Sequence, residues 1–226
     1  MREFSYFIFF FGFSMLADGQ VKTLEIPVYK DGKPTFWYKL QQENIAKMGL
    51  SDLTKSSGIL HFRFATETQI VDISTTDFKK FDGAVYNFTE KYNAKISGYD
   101  TTKIFMNKKK LKHSVAYEIY AFFKNEAIFQ LPSEEDIQGW GLGADGKSYI
   151  IEYSTPSHYS VKSYWSPEIF RYQLKEANKI YTLANQLESN LGLRYSFQTF
   201  INHLPNGCYK AGGIAVTCNE KAKKQK

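Results

Sequence analysis

The chain has 226 residues, 43% of them hydrophobic and 17% aromatic, with 19 Phe, 16 Tyr and 3 Trp. That is enough apolar side chain for one ordinary domain with a real core, and it excludes a disordered chain over most of the length. The formal charge is +6, so the chain is basic overall, which favours an anionic partner.

Residues 1–19 carry the most specific signal. Arg2 precedes an apolar run over residues 4–16, and Ala17-Asp18-Gly19 then supplies small residues around a cleavage point before Gln20. This is the pattern of a secretory signal peptide. At about 13 residues the run is short for a bilayer core of about 30 Å, and no other segment is apolar enough to cross one. Removing residues 1–19 takes away Arg2, Glu3 and Asp18 and raises the formal charge from +6 to +7. A secreted or periplasmic domain over 20–220 is expected, followed by a basic tail over 221–226.

Past that point, Leu24, Ile26 and Val28 alternate with polar residues, Asp31-Gly32 makes a turn, and Phe36, Tyr38 and Leu40 resume the alternation, which predicts a hairpin. Residues 41–58 read as a weak helix and a loop. Leu60, Phe62 and Phe64 alternate again, and Thr66-Glu67-Thr68 separates them from a second run over 69–74, a further hairpin. Asp82-Gly83 leads into a strand over 84–89. From Leu111 the period changes: Leu111, Val115, Ile119, Phe122 and Phe123 share one stripe of an amphipathic helix that ends near Asn125.

The stretch 140–165 is expected to be the centre of the sheet. Asp145-Gly146 is a hairpin turn signal with strand-like residues on either side. A second turn at Thr155-Pro156-Ser157 would set Tyr153 opposite Tyr159, Ile151 opposite Val161 and Tyr149 opposite Ser163 on one face. Glu152, Ser160, Lys162 and Tyr164 would then lie on the other. Ser166-Pro167-Glu168 opens a helix of about 25 residues, close to 38 Å long, which Gly192 stops. A short helix with Phe197, Phe200, Ile201 and Leu204 inward ends at Pro205-Asn206-Gly207. Cys208 and Cys218, ten residues apart in a chain with an export signal, read as a disulfide across a final hairpin.

The run Ile128-x-x-Leu131-Pro132-Ser133-x-x-x-Ile137-x-x-Trp140, continuing through Asp145-Gly146 and Tyr149-Ile150-Ile151-Glu152 to Tyr164-Trp165-Ser166-Pro167, resembles a group of uncharacterised bacterial secreted proteins over about residues 58–170. The resemblance implies export and an α+β domain and carries over no functional residue. Independently, strands in the first half and helices in the second, without βαβ alternation, predict one α+β domain: a mainly antiparallel sheet built from hairpins, with two or three helices on one face.

Chemistry is harder to find. GxSxG and HExxH are absent, His61, His113, His158 and His203 have no metal-ligand spacing, and no metal or cofactor is expected. Gly141-Leu142-Gly143-Ala144-Asp145-Gly146-Lys147-Ser148 matches a phosphate-loop spacing, but a β-run follows it where a phosphate loop needs a helix. Glu152, with His158 at the neighbouring turn, is the candidate acid–base group. Lys162 and Tyr164 are binding candidates on the same face. Lys108, Lys109 and Lys110, in a run of four lysines over 108–112, are binding candidates for an anionic polysaccharide or another envelope component. Nucleic acid is disfavoured, since no aromatic residue interleaves with them. Trp140 and Trp165 could stack on sugar, with core packing the plainer role. The sequence therefore favours an exported, non-catalytic binding or accessory protein, with an extracytoplasmic hydrolase centred on Glu152 as the alternative.

Overall fold

The computed structural model describes residues 21–29, 31–141, 143 and 145–219. The expected signal peptide and the basic tail over 221–226 lie outside the described residues.

Among the described residues nine strands form one sheet: β1 (Thr23–Glu25), β2 (Leu60–Ala65), β3 (Gln69–Thr75), β4 (Phe81–Asn93), β5 (Gly98–Lys110), β6 (Ser148–Ser154), β7 (His158–Trp165), β8 (Gly207–Gly212) and β9 (Ala215–Asn219). Their order is β1-β7-β6-β2-β3-β4-β8-β9, with β5 paired to β4. Every pairing is antiparallel except β1 with β7. Five helices, α1 (Phe36–Lys47), α2 (His113–Asn125), α3 (Pro167–Phe170), α4 (Lys175–Leu191) and α5 (Leu193–His203), complete a single α+β domain.

Two cores hold it. Leu60, Phe62 and Phe64 of β2 and Val71 and Ile73 of β3 meet Ala116, Ile119 and Phe123 of α2 and Ile180, Leu183 and Leu187 of α4. The opposite face carries Ala65, Ile70, Ala84, Tyr86, Ile150, Tyr159 and Val161, closed by Met48 at the end of α1 and by Leu53. Helices thus cover both faces, where one was expected. Gly83 marks the tightest approach of α2: a Cβ there would stand 2.9 Å from Ile73 Cδ1 and 3.0 Å from the Ala116 Cβ.

The hairpins β2–β3 and β8–β9 form as expected, as do α2, α5 and the Cys208–Cys218 disulfide, whose cysteines face each other across β8 and β9. Gly192 ends α4 at φ 59°, in the left-handed region.

Other expectations are corrected. Residues 36–40 are helical: Thr35 caps α1, its Oγ1 accepting from the Tyr38 amide, and Trp37, Gln41, Ile45 and Met48 face inward at helical spacing. Of that hairpin only the Val28–Pro34 bridge remains. Among the described residues no strand lies directly before Asp145 to pair with β6, whose edges are taken by β7 and by β2, paired Phe64 to Ile151. Across the β6–β7 turn the register is one residue from expectation, with Tyr153 opposite Ser160, Ile151 opposite Lys162 and Tyr149 opposite Tyr164. The long helix is divided into the single turn α3 and α4, because the backbone is extended at Leu174, φ −120° and ψ 124°, and is helical again only from Lys175. Lys108, Lys109 and Lys110 end the strand β5, which the sequence reading did not include.

Candidate functional site

The register places Glu152 on the α1 face and Lys162 and Tyr164 on the other, so the predicted polar face does not exist. Glu152 instead meets Arg63, its register partner on β2, and Arg63 in turn faces Asp72 on β3. Arg63 Nη1 donates to Glu152 Oε2 at 3.1 Å and Nε donates to Asp72 Oδ2 at 2.6 Å. The other Glu152 oxygen accepts from the Tyr159 hydroxyl at 2.9 Å, which Gln42 Nε2 reaches at 3.1 Å. His61 Nε2 lies 2.9 Å from Asp72 Oδ1, and Arg63 Nη2 donates to the Ser51 carbonyl. The result is a ladder of charge across three adjacent strands, roofed by α1 and the 48–53 turn.

Arg63 and Glu152 side chains are each 1% exposed. Burial pushes the Glu152 carboxyl up, with Arg63 pulling it back. For Asp72 burial acts in the same sense, but His61 and Arg63 outweigh it and hold the carboxyl below the usual range. General acid–base work needs an oxygen free to meet a substrate, and both Glu152 oxygens are engaged inside the protein. Such a pair, satisfied on both sides, fixes the register of three strands.

Lys162 and Tyr164 are spent in a similar way. β1 covers only the first part of the outer edge of β7, and beyond it residues 128–136 run alongside. Lys162 Nζ donates to the Leu131 carbonyl, and lies 3.5 Å from Glu25 Oε1. The buried Tyr164 hydroxyl donates to the Pro132 carbonyl at 2.9 Å, and burial raises its pKa well above the tyrosine range. Ser133 Oγ accepts from the Ser163 amide at 3.1 Å and the Glu134 carboxylate accepts from the Trp165 amide. Side-chain oxygens thus take the place of a neighbouring strand for amides that would otherwise lie unpaired. His158 Nε2 lies 3.1 Å from Glu25 Oε2, with its ring against Tyr153.

The lysine run is the one predicted feature left facing solvent. Lys108, Lys109 and Lys110 stand opposite Tyr86, Val85 and Ala84 on β5, and all three are exposed. Lys108 and Lys110 project on the Tyr86 side, and Lys108 Nζ lies 5.2 Å from the Tyr86 ring centre. Leu111 donates its amide to the Gly83 carbonyl, and His113 Nδ1 accepts from the Phe81 amide. These bonds bring the β3–β4 turn against the start of α2. Lys79, Lys80 and Lys112, also exposed, therefore join the run at one corner. Asp77 and Asp82 are nearby, but Asp77 Oδ1 accepts from the Lys79 and Lys80 amides. None of these six ammonium groups is in an ion pair among the described residues.

Sequence reasoning did not single out Arg63, Asp72, Lys79 or Lys80. Arg63 had a signal of its own, since it sits between Phe62 and Phe64 on the face opposite to them, and that face is covered too. Lys79 and Lys80 had none, because only the β4–β5 pairing brings them to Lys110. No protein-family model matches the chain, and no curated protein matches it.

Proposed function

We propose that this chain is an exported, non-catalytic binding protein that holds an anionic polymer of the cell envelope against the lysine corner at the end of β5. The observation that carries the reading is six exposed lysines gathered from two segments, 79–80 and 108–112, with no ion pair among the described residues to neutralise them. Along β5 the lysines repeat at about 3.3 Å per residue, so several can meet one extended polyanion together, with release of its counterions. Export is supported by the signal-peptide pattern of residues 1–19 and by the Cys208–Cys218 disulfide. No helix among the described residues is long and apolar enough to cross a membrane. Hydrolysis at Glu152 draws less support, because that carboxylate is enclosed and doubly bonded.

The test is binding of the purified protein to immobilised lipopolysaccharide, with dextran sulfate as a generic polyanion. Replacing Lys108, Lys109 and Lys110 together by Glu should weaken binding by more than about tenfold and flatten its dependence on salt. The substituted side chains are exposed, so the fold should survive. Unchanged affinity in the triple variant would overturn the reading, as would finding residues 1–19 still attached to a cytosolic protein with free thiols.

A further inference from the structure

At the far end of β3 from the lysine corner, about 20 Å away along that strand, lies a cavity of about 650 Å³. Its walls come from the β2–β3 turn, the loop that precedes β6, the α4–α5 junction and the β8–β9 turn. The volume is that of a site for a small organic molecule. Tyr149, Trp165 and Phe197 give it aromatic wall. The loop is pressed onto one of these rings: a Cβ at Gly143 would fall 1.9 Å from the Trp165 indole, and one at Gly146 would fall 1.8 Å from Ser166 Oγ. Glycine at both positions is what lets the backbone reach the ring, and for Gly146 this gives one of the two glycines of the phosphate-loop spacing a packing reason.

The charge of the wall runs against that of the protein. Glu67, Glu134, Asp145 and Glu188 line the cavity with only Lys147 and Arg194 to oppose them, two negative charges in excess within a chain of formal charge +6. Glu67 bridges two of the walls, accepting from the Gly213 amide of the β8–β9 turn. Burial pushes its carboxyl up in spite of Lys210 and Lys147. Burial also raises Glu134, to about 7, with Glu135 beside it adding to the effect. Both carboxyls are short of positive charge. Ser148, in the same wall, has a buried hydroxyl with no hydrogen-bond partner among the described residues. No group of three acidic, His or Cys side chains comes together closely enough to hold a metal ion among the described residues.

We propose that this cavity binds a small organic cation, an ammonium group carried on an apolar body. The carboxylates of Glu67 and Glu134 face the charge, and the Trp165 and Tyr149 rings receive the body and add cation–π attraction. The ligand supplies the positive charge that the wall lacks.

Calorimetric titration of the oxidised protein with phenethylammonium and with its neutral counterpart 2-phenylethanol tests this. The amine should bind at least about tenfold more tightly than the alcohol. Glu67→Gln and Glu134→Gln each keep an oxygen to accept the Gly213 or Trp165 amide, and each should remove most of that preference while leaving the alcohol unchanged. The unsubstituted protein gives a second readout. From about pH 8 to about pH 6, across the Glu134 pKa of about 7, amine affinity should fall severalfold as that carboxylate is protonated, and alcohol affinity should stay level. Besides Glu67, the other charges on the surrounding elements are Asp145, Lys147, Glu188, Arg194 and Lys210, and Glu135 lies beside Glu134. Equal affinities for amine and alcohol, or no saturable binding of the amine up to about 10 mM, would sink the proposal. Neither result would bear on the lysine corner.

Discussion

Arg63 holds two carboxylates, Glu152 at 3.1 Å and Asp72 at 2.6 Å, so its removal leaves the buried Glu152 without its cation and Asp72 with only His61 beside it. Arg63→Met should therefore destabilise the fold by about 3–5 kcal/mol in urea unfolding, far more than loss of an exposed pair such as Lys55–Asp52. A cost below about 1 kcal/mol would mean that the ladder is not what holds β2, β3 and β6 in register. Glu134 has the opposite relation to its surroundings, since folding raises its pKa from 4.5 to about 7. A carboxyl raised in this way adds stability below its unfolded pKa and loses it as pH climbs through the folded one. Unfolding free energy should thus fall by about 2 kcal/mol between about pH 4.5 and pH 7, and Glu134→Gln should flatten that window. Asp72 contributes with the reverse sign: its folded pKa is lowered, so its share is present at neutral pH and is lost on strong acidification. Neither behaviour could be read from the chain alone, because a glutamate in sequence carries no mark of the amides or cations that will surround it.

The C-terminal hairpin is the element on which sequence and structure agree most closely. Among the described residues its ladder with the main sheet has one register pair, Lys91 with Tyr209, and Thr89 Oγ1 donates to the Lys210 carbonyl at 2.7 Å. The buried Tyr209 ring meets Phe105 edge-on, and Asn219 Nδ2 donates to the Ile201, Asn202 and Leu204 carbonyls at the end of α5. Replacing Cys208 and Cys218 together by Ser should cost about 3 kcal/mol in the loop-entropy account. Hydrogen exchange should quicken first in β8, β9 and at Gly213, with β2, β3 and β6 protected as before. Uniform loss of protection would show that the hairpin holds the whole sheet. The β6–β7 register is the instructive miss. Alternation can fix register when one face of a sheet is wet. Here Tyr159 and Val161 are buried on one side and Lys162 and Tyr164 on the other, so a slip of one residue exposes nothing. What selects the true register is particular bonds: Tyr159 to Glu152, Ser163 to Ser133, Tyr164 to Pro132.

Across the whole molecule, the local signals were legible and the long-range ones were not. Strand runs at 60–65 and 69–75, the α2 stripe, the Gly192 stop and the disulfide each depend on residues within one or two turns of chain, and the sequence by itself determined them. It also determined the α+β class and the excess of positive charge. Tertiary structure decided which strand lies beside which: β2 takes the edge of β6 that a strand before Asp145 would need, and β1 joins β7 from more than 130 residues away. It also decided that both faces of the sheet are covered, which turns Glu152, Lys162 and Tyr164 from surface candidates into internal bonds. The same pairing carries Lys79 and Lys80 to Lys110, and gathers Glu67, Glu134 and Trp165 around one cavity. The physical reason is that hydrophobic periodicity records whether a side chain is buried and not what it is buried against. The second is set only when distant segments compete for the same edge or face.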